Sequence, residues 1–472
     1  MRGPMDPAYM GNKVKKLLPP VLLAVLLLQT AVFADGKMDG YRGIWYSNQP
    51  SKDEYAYKYS GGLGTYCADH IPLAIYAPKV HKTFFVFGGT KGVNEKKPLL
   101  EMISYYDHTT GMVPKPTIVC EKNTEDAHHN PTLSIDNDGY IWVFAPSHGG
   151  KDGFIYKSRA PYSIDGFELI SKREFSYPQP WYIDGIGHVF LFTKYTRGRE
   201  LYSSRSTNGV DWTPDVKYAG FDGHYQVTWP HGNVIGSAFN WHPAPIGLNA
   251  RTNIYYMETR DGGKTWRNAA GKQLVTPLSD HVNDALVRDY QKEGWLVYIN
   301  DINFDGDGRP VIFYVLAKSY EPGPEHGPRI WMTARWTGRE WLFRKVTACD
   351  HDYDMGSIYI EDDGTWRIVG PSEPGPFPYC TGGEMVMWTS KDQGMTWSSH
   401  ALTADSKLNQ SYARRPLNAD PDFYAFWADG DPLKPSESHF YFTNKAGDKV
   451  FMLPDKMTAD FERPRLLATP AH

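Results

Sequence analysis

Between residues 126 and 149 the chain concentrates side chains that can move protons. Asp126-Ala-His128-His129-Asn130-Pro131 leads into an apolar run, Tyr140 to Ala145, which ends in Pro146-Ser147-His148-Gly149. Imidazole exchanges a proton near neutrality, so His128 and His148 are acid–base candidates, although a histidine taken singly is more often structural. They would reach one face if they flank adjoining inner strands. Phe175-Ser-Tyr177-Pro-Gln-Pro-Trp181 follows, and then a strand that delivers Lys194, Tyr195, Arg197 and Arg199. The two prolines remove backbone donors, which argues against a central ladder strand. A phenol and several cations beside a two-histidine cluster suit an anionic substrate better than any of them would alone. A third group, Asp222-Gly-His224-Tyr225-Gln226 with His231, Asn240, Trp241 and His242, has the rings and polar tips of a sugar-binding surface, and reads equally well as aromatic core.

These groups need a frame of short strands. Aromatics are 14% of the chain, with 44 glycines and 35 prolines, and long 3.6-period apolar stretches are almost absent, which implies β-structure broken by turns. Thr83 to Phe87, Tyr140 to Ala145, Val189 to Thr193, Trp295 to Asn300, Val311 to Leu316 and Phe440 to Thr443 are representative strands. A turn followed by tryptophan recurs as Ser206 to Trp212, Thr259-Arg-Asp-Gly-Gly-Lys-Thr-Trp266 and Ser390-Lys-Asp-Gln-Gly-Met-Thr-Trp397. The last two fit the Asp-box pattern, in which Asp and Gly shape a tight turn and Trp packs between sheets. Asp136 to Trp142 and Glu361 to Trp366 are looser relatives. Such repeats imply an all-β propeller of radial four-stranded blades. At roughly 50 to 60 residues per blade the chain accommodates seven or eight, and seven is the expectation. Asp boxes specify the fold and carry no catalysis.

Residues 13 to 34 read as a secretory signal: Lys13, Lys15 and Lys16, an apolar run from Leu17 to Leu28, then Val32-Phe33-Ala34. A membrane anchor is disfavoured because the run is short for a bilayer. The expected organisation is a signal peptide over 1–34 and one catalytic propeller over 35–472, secreted or periplasmic, with no membrane partner after signal removal. A net charge of −4 gives no reason to expect nucleic acid, so local cations must hold any acidic substrate. Cys67, Cys120, Cys349 and Cys380 are widely spaced, which signals no zinc ribbon and leaves room for one or two disulfides. His281-Val-Asn283-Asp284 and Asp350-His-Asp-Tyr-Asp354 are further polar groups. The run Asp301 to Asp307 resembles a calcium loop only in part, since it lacks the closing Glu, and a tight turn is the better reading. Nothing in the chemistry requires a cofactor. A structural divalent cation, calcium or zinc, can be accommodated.

The order of Asp39-Gly-Tyr-Arg-Gly-Ile-Trp45, Tyr59-Ser-Gly-Gly-Leu-Gly-Thr65, His128-x-Asn130-Pro131, His148, Tyr177-Pro-Gln-Pro180 and the Asp boxes resembles seven-bladed propellers of the BNR-4 type, a group that includes ulvan lyases and rhamnosyl-glucuronate lyases. The resemblance spans nearly all of the expected mature chain. It implies a polysaccharide lyase that eliminates at C4 of a glucuronate in rhamnose-containing glycans such as ulvan or arabinogalactan. It also implies His128, His148 and Tyr177 as the catalytic set, with base and acid left open between Tyr177 and His128. The group usually has Arg at the end of the following strand, where this chain offers Lys194, so Lys194 or Arg197 would neutralise the carboxylate, without Arg's bidentate fork in the first case. Asn130, Arg199, His224, Tyr225 and His231 are the substrate-contact candidates. Some relatives use a histidine on the opposite face as rhamnosidases, and His70 is the matching position. A sialidase-like hydrolase and a non-catalytic glycan-binding propeller are the other readings.

Overall fold

The computed structural model describes residues 36–92, 98–467 and 470. The expected signal segment lies outside the described residues, and the described residues all fall in one compact unit. No helix among the described residues is long and apolar enough to cross a membrane.

Apart from three one-turn 3₁₀ segments, the regular elements among the described residues are strands. Most of those described group in chain order into seven antiparallel units of four or five strands, the last two joined into one nine-stranded sheet at Gly383 and Gln410. The strands begin at Ala74–Ala77 in blade 1, Thr132–Ile135 in blade 2, Ser176–Ile183 in blade 3 and Gln226–His231 in blade 4. Leu296–Phe304, Ser357–Ile360 and Asn409–Arg414 begin blades 5, 6 and 7. This is the seven-bladed β-propeller expected from the repeats; four of the six representative strands fall within observed ones, and those expected from Tyr140 and Trp295 begin one residue later, at Ile141 and Leu296. Blade 1 meets blade 7 through backbone pairing: Tyr76 N donates to Leu417 O (2.9 Å) and Leu417 N to Ala74 O (2.8 Å). A hairpin of Gly43–Pro50 and Tyr57–Gly62 precedes blade 1 and pairs with Glu437–Ser438 near the C-terminus.

The tryptophan turns fall into two kinds. Those ending at Trp212, Trp266 and Trp397 follow the third strand of blades 3, 4 and 6. In the second, Asp261 Oδ1 accepts from Lys264 N (3.0 Å) and Thr265 N (2.9 Å), and Trp266 stacks at 4.5 Å on Tyr218 of blade 3. The turn is thus fixed by its own carboxylate while the indole joins two blades. The looser relatives, Asp136 to Trp142 and Glu361 to Trp366, instead join the first and second strands of blades 2 and 6. Gly209, at φ +73°, shows why such turns need glycine, because a Cβ there would strike the Trp142 ring.

The Asp-rich segment is a turn. Asp305 Oδ1 accepts from Asp307 N and Arg309 N, both at 3.0 Å, while Asp301 is buried against Arg415. All four cysteines are free thiols, so neither of the allowed disulfides forms.

Trp266 is 1% exposed and central to the contact between blades 3 and 4. Trp266→Ala is expected to cost about 3–5 kcal/mol, read as a lowered thermal midpoint with unchanged strand content by circular dichroism.

Candidate active site

Asp126 organises the site. It caps the 3₁₀ turn Ala127–His129, its Oδ1 accepting from His128 N at 3.0 Å. The same oxygen accepts from His128 Nδ1 at 2.6 Å, and Oδ2 accepts from His148 Nδ1 at 2.7 Å. His128 precedes the first strand of blade 2 and His148 follows its second, Ile141–Ala145. Because these strands are antiparallel, both histidines arrive at one end of a single blade, where adjoining inner strands were expected to bring them together. Their rings stack at 4.1 Å. Burial alone would raise the Asp126 pKa, but the hydrogen bonds from His128 and His148 hold it well below the usual carboxylate range. Ionised, Asp126 can only accept, so each Nδ1 carries the proton and each neutral ring keeps a lone pair on Nε2. Burial lowers the His128 pKa, which favours its neutral form.

Both lone pairs face phenols. His128 Nε2 lies 3.0 Å from Tyr66 Oη, and His148 Nε2 lies 3.2 Å from Tyr177 Oη. Tyr177 Oη is also 3.2 Å from Tyr195 Oη, which accepts from Arg199 Nε at 3.2 Å. The direction of every bond then follows. Arg199 donates to Tyr195, Tyr195 to Tyr177, Tyr177 to His148, and His148 to Asp126.

Local geometry places these groups. Ser176–Ile183 is the innermost strand of blade 3 and pairs on one side only, which explains how it tolerates two prolines. Its register shifts between Ser176 and Gln179, and Tyr177 sits at φ +49° within that shift. A bulge of this kind re-aims a side chain, and here it directs Tyr177 into a cavity shared with Tyr66, His128, Tyr225, Arg251 and Asp69. Arg199 is set by the turn at Gly198, where a Cβ would run into the Asp222 carbonyl. Burial pushes the Asp69 carboxyl up to about 7.

The other expected residues divide. Tyr225 belongs to the site: its ring lies 5.4 Å from Tyr177, and the Arg199 and Arg251 guanidinium groups lie 5.2 and 5.0 Å from it. Lys194 is turned away into a 2.6 Å ion pair with Asp215, which Arg173 also contacts. Arg197 is exposed, so Arg199 is the cation tied to Tyr177. Asn130 is a fully buried strut whose Nδ2 donates to the carbonyls of Leu63 and Tyr66. His224 is locked, with Nδ1 donating to Asn240 O (2.8 Å) and Nε2 accepting from Phe221 N (3.2 Å). His231, at the far end of Gln226–His231, packs on Phe304 away from the site. His70 was expected on an opposite face, yet it is 0% exposed, donates to Asn130 O (2.8 Å) and meets the Tyr177 ring edge-on at 5.7 Å.

Four participants had been given no role from the sequence: Asp126, Tyr66, Tyr195 and Arg251. Arg251 is buried among Tyr225, Tyr298 and Tyr353, and its Nη2 donates to Tyr353 Oη at 2.8 Å. Asp126, His128 and His148 lie close enough together to ligate a metal, but doing so would give up the carboxylate–imidazole bonds that set both tautomers.

A sequence profile described as a BNR repeat-containing family member matches residues 103–370, more than half of the chain. The chain belongs to the BNR repeat-containing family. Among curated relatives, this BNR-family chain is 25% identical to an ulvan lyase of Nonlabens ulvanivorans, over 74% of this chain and 82% of that protein. It is 24% identical to a PL25 ulvan lyase of Pseudoalteromonas sp. (strain PLSV), over 57% and 64% respectively. A solved structure of a PL25 ulvan lyase superposes with a TM-score of 0.68 at 18% identity, covering 87% of this chain and 96% of that one. The same enzyme has been solved with -[GlcA(1-4)Rha3S]- bound. Polysaccharide lyase Uly1 superposes at 0.61 and 10% identity, covering 85% of this chain and 97% of that one.

Replacing Asp126 with Asn removes one of the two acceptor oxygens. In ¹⁵N-edited spectra of labelled histidine, wild type is expected to show two hydrogen-bonded Nδ1–H signals, and Asp126→Asn to lose at least one.

Proposed function

We propose that the protein is an exported polysaccharide lyase that cleaves an acidic, glucuronate-containing glycan of the ulvan type by β-elimination. The directed hydrogen-bond chain Arg199–Tyr195–Tyr177–His148–Asp126 carries this reading. The relatives named as ulvan lyases agree with it in substrate class.

The C5 proton of a uronate is weakly acidic and becomes removable when the carboxylate is neutralised, so that charge can move into it. Arg199 supplies that charge beside Tyr195 and the Tyr225 ring, and Arg251, which lines the cavity, adds a second cation near that ring. Tyr177 passes its phenolic proton to His148 Nε2, and the resulting phenolate takes the C5 proton. The C–H electrons form the C4=C5 double bond, the C4–O bond breaks, and Tyr177 returns the proton to the departing oxygen. His148 then hands its proton back, restoring the starting state. Burial holds the Tyr177 pKa well above that of a free phenol, so the phenolate exists only beside the imidazolium and Arg199. Asp126 keeps His148 in the tautomer that can accept. Its own protonation is not needed, as in other carboxylate–imidazole pairs.

His128 is 4% exposed with Nε2 engaged by Tyr66, which favours a role in holding His148 and shaping the cavity over direct proton transfer. A rhamnosidase-like site at His70 has no support from a ring buried beneath Tyr177. The finer assignment is cleavage next to glucuronate with release of rhamnose-ended or unsaturated oligosaccharides, outside the cytoplasm.

Incubation with ulvan is expected to raise near-ultraviolet absorbance, and the product masses should sum to the substrate without added water. Products that gain water would overturn the lyase reading. Tyr177→Phe and Arg199→Ala should each lower turnover by roughly 10²–10⁴-fold, whereas Lys194→Ala should change it by no more than a few-fold; the reverse order would place the cation at Lys194.

A further inference from the structure

At the rim of blade 1, away from the catalytic end of blade 2, three ligand-type side chains converge from two blades. His81 lies in the turn between Ala74–Ala77 and Lys82–Gly89, and His108 directly follows Leu99–Asp107. Lys82 pairs with Asp107 across those strands and His108 N donates to His81 O at 3.1 Å, so the two rings are held side by side. They stack at 5.1 Å, with Tyr76 edge-on to both. Asp420 enters from the segment between Asn409–Arg414 and Ala425–Gly430 of blade 7. One ligand atom from each residue falls within 4.8 Å of the others.

The pairwise geometry is that of ligands around a common ion. His108 Nδ1 lies 3.1 Å from Asp420 Oδ1, yet it is buried and makes no hydrogen bond, because the two groups are not aligned for one. Two ligands at about 2.0–2.1 Å from a tetrahedral zinc stand about 3.3 Å apart, close to the distance seen. His81 Nε2 faces the other oxygen, Asp420 Oδ2, at 4.0 Å. The outward nitrogens are each held by a hydroxyl: His108 Nε2 lies 2.8 Å from Thr83 Oγ1, and His81 Nδ1 lies 3.4 Å from Thr109 Oγ1. Metal-binding histidines are characteristically anchored in this way through the nitrogen that does not ligate. Asp420 Oδ1 also accepts from Asp422 N at 2.9 Å, which orients the carboxylate and leaves it a second lone pair. Two imidazoles and one carboxylate favour zinc over calcium or magnesium, which take oxygen ligands.

We propose that His81, His108 and Asp420 bind one zinc ion that clamps blade 1 to blade 7. The ion would sit beside the Ile75–Leu417 pairing that already joins these blades. Its role is structural and independent of the lyase reading.

The test uses the mature chain stripped with EDTA, dialysed against zinc sulfate and then against metal-free buffer, with bound metal counted by mass spectrometry and thermal midpoints recorded. Wild type and Asp126→Asn are expected to retain one zinc per chain, and zinc should raise their midpoints. His81→Asn, Asp420→Asn and His108→Gln should lose both the metal and the zinc-dependent shift. His81 is half exposed, so His81→Asn should fold even if a buried variant does not. No zinc retained by wild type, equal zinc in His81→Asn and wild type, or loss of zinc from Asp126→Asn alone would each overturn the proposal.

Discussion

A single carboxylate with both oxygens committed to imidazole determines what the neighbouring groups can do. Asp126 is held at the start of blade 2 by the same turn that carries His128, and it reaches across the blade end to His148. Because the ionised group cannot donate, it dictates the proton position on both rings, and through them the donor direction of Tyr66 and Tyr177. Remove that constraint and the hydroxyl chain to Arg199 loses its polarity, even with every side chain in place. The geometry therefore depends on charge and tautomer as much as on shape.

The blades support this arrangement by offering edges. An innermost strand pairs on one side only, leaving its other side free for a bulge, two prolines and a residue at positive φ. Ser176–Ile183 uses that freedom to aim Tyr177, while the turn after the hairpin ahead of blade 1 brings Tyr66 to His128.

Much of the fold was legible in the sequence because Asp boxes are local: Asp261 bonds to residues three and four positions on, so the motif and its structure coincide. Alternating β-rich runs bounded by Gly and Asp placed the strands for the same reason. The site was legible only in part. His128, His148 and Tyr177 converge as the family resemblance implied, but the cation did not follow from strand position. Lys194 and Arg199 lie on either side of one turn, and which of them faces Tyr177 depends on strand alternation and on Asp215, a distant partner that captures Lys194. His224 and His231 look equally suited to sugar contact in sequence. Backbone partners at Asn240 and Phe221 take up the first, and the length of one strand removes the second. Asp126 was visible beside the histidines, but its bidentate role arises only when residues 126 and 148 meet. Arg251 had no local signature, since its tyrosine partners come from three separate segments.

Gly43–Pro50 pairs locally with Tyr57–Gly62 and completes its sheet with Glu437–Ser438, so the earliest described strand gains its second neighbour only from nearly the last part of the chain. Closing so long a loop is slow relative to forming local blade contacts. Tyr46 and Tyr66, which enclose His128, lie in or just after that hairpin. The candidate site is therefore bordered by a hairpin whose second partner comes from the opposite end of the chain, a long-range contact expected to follow the local blade contacts.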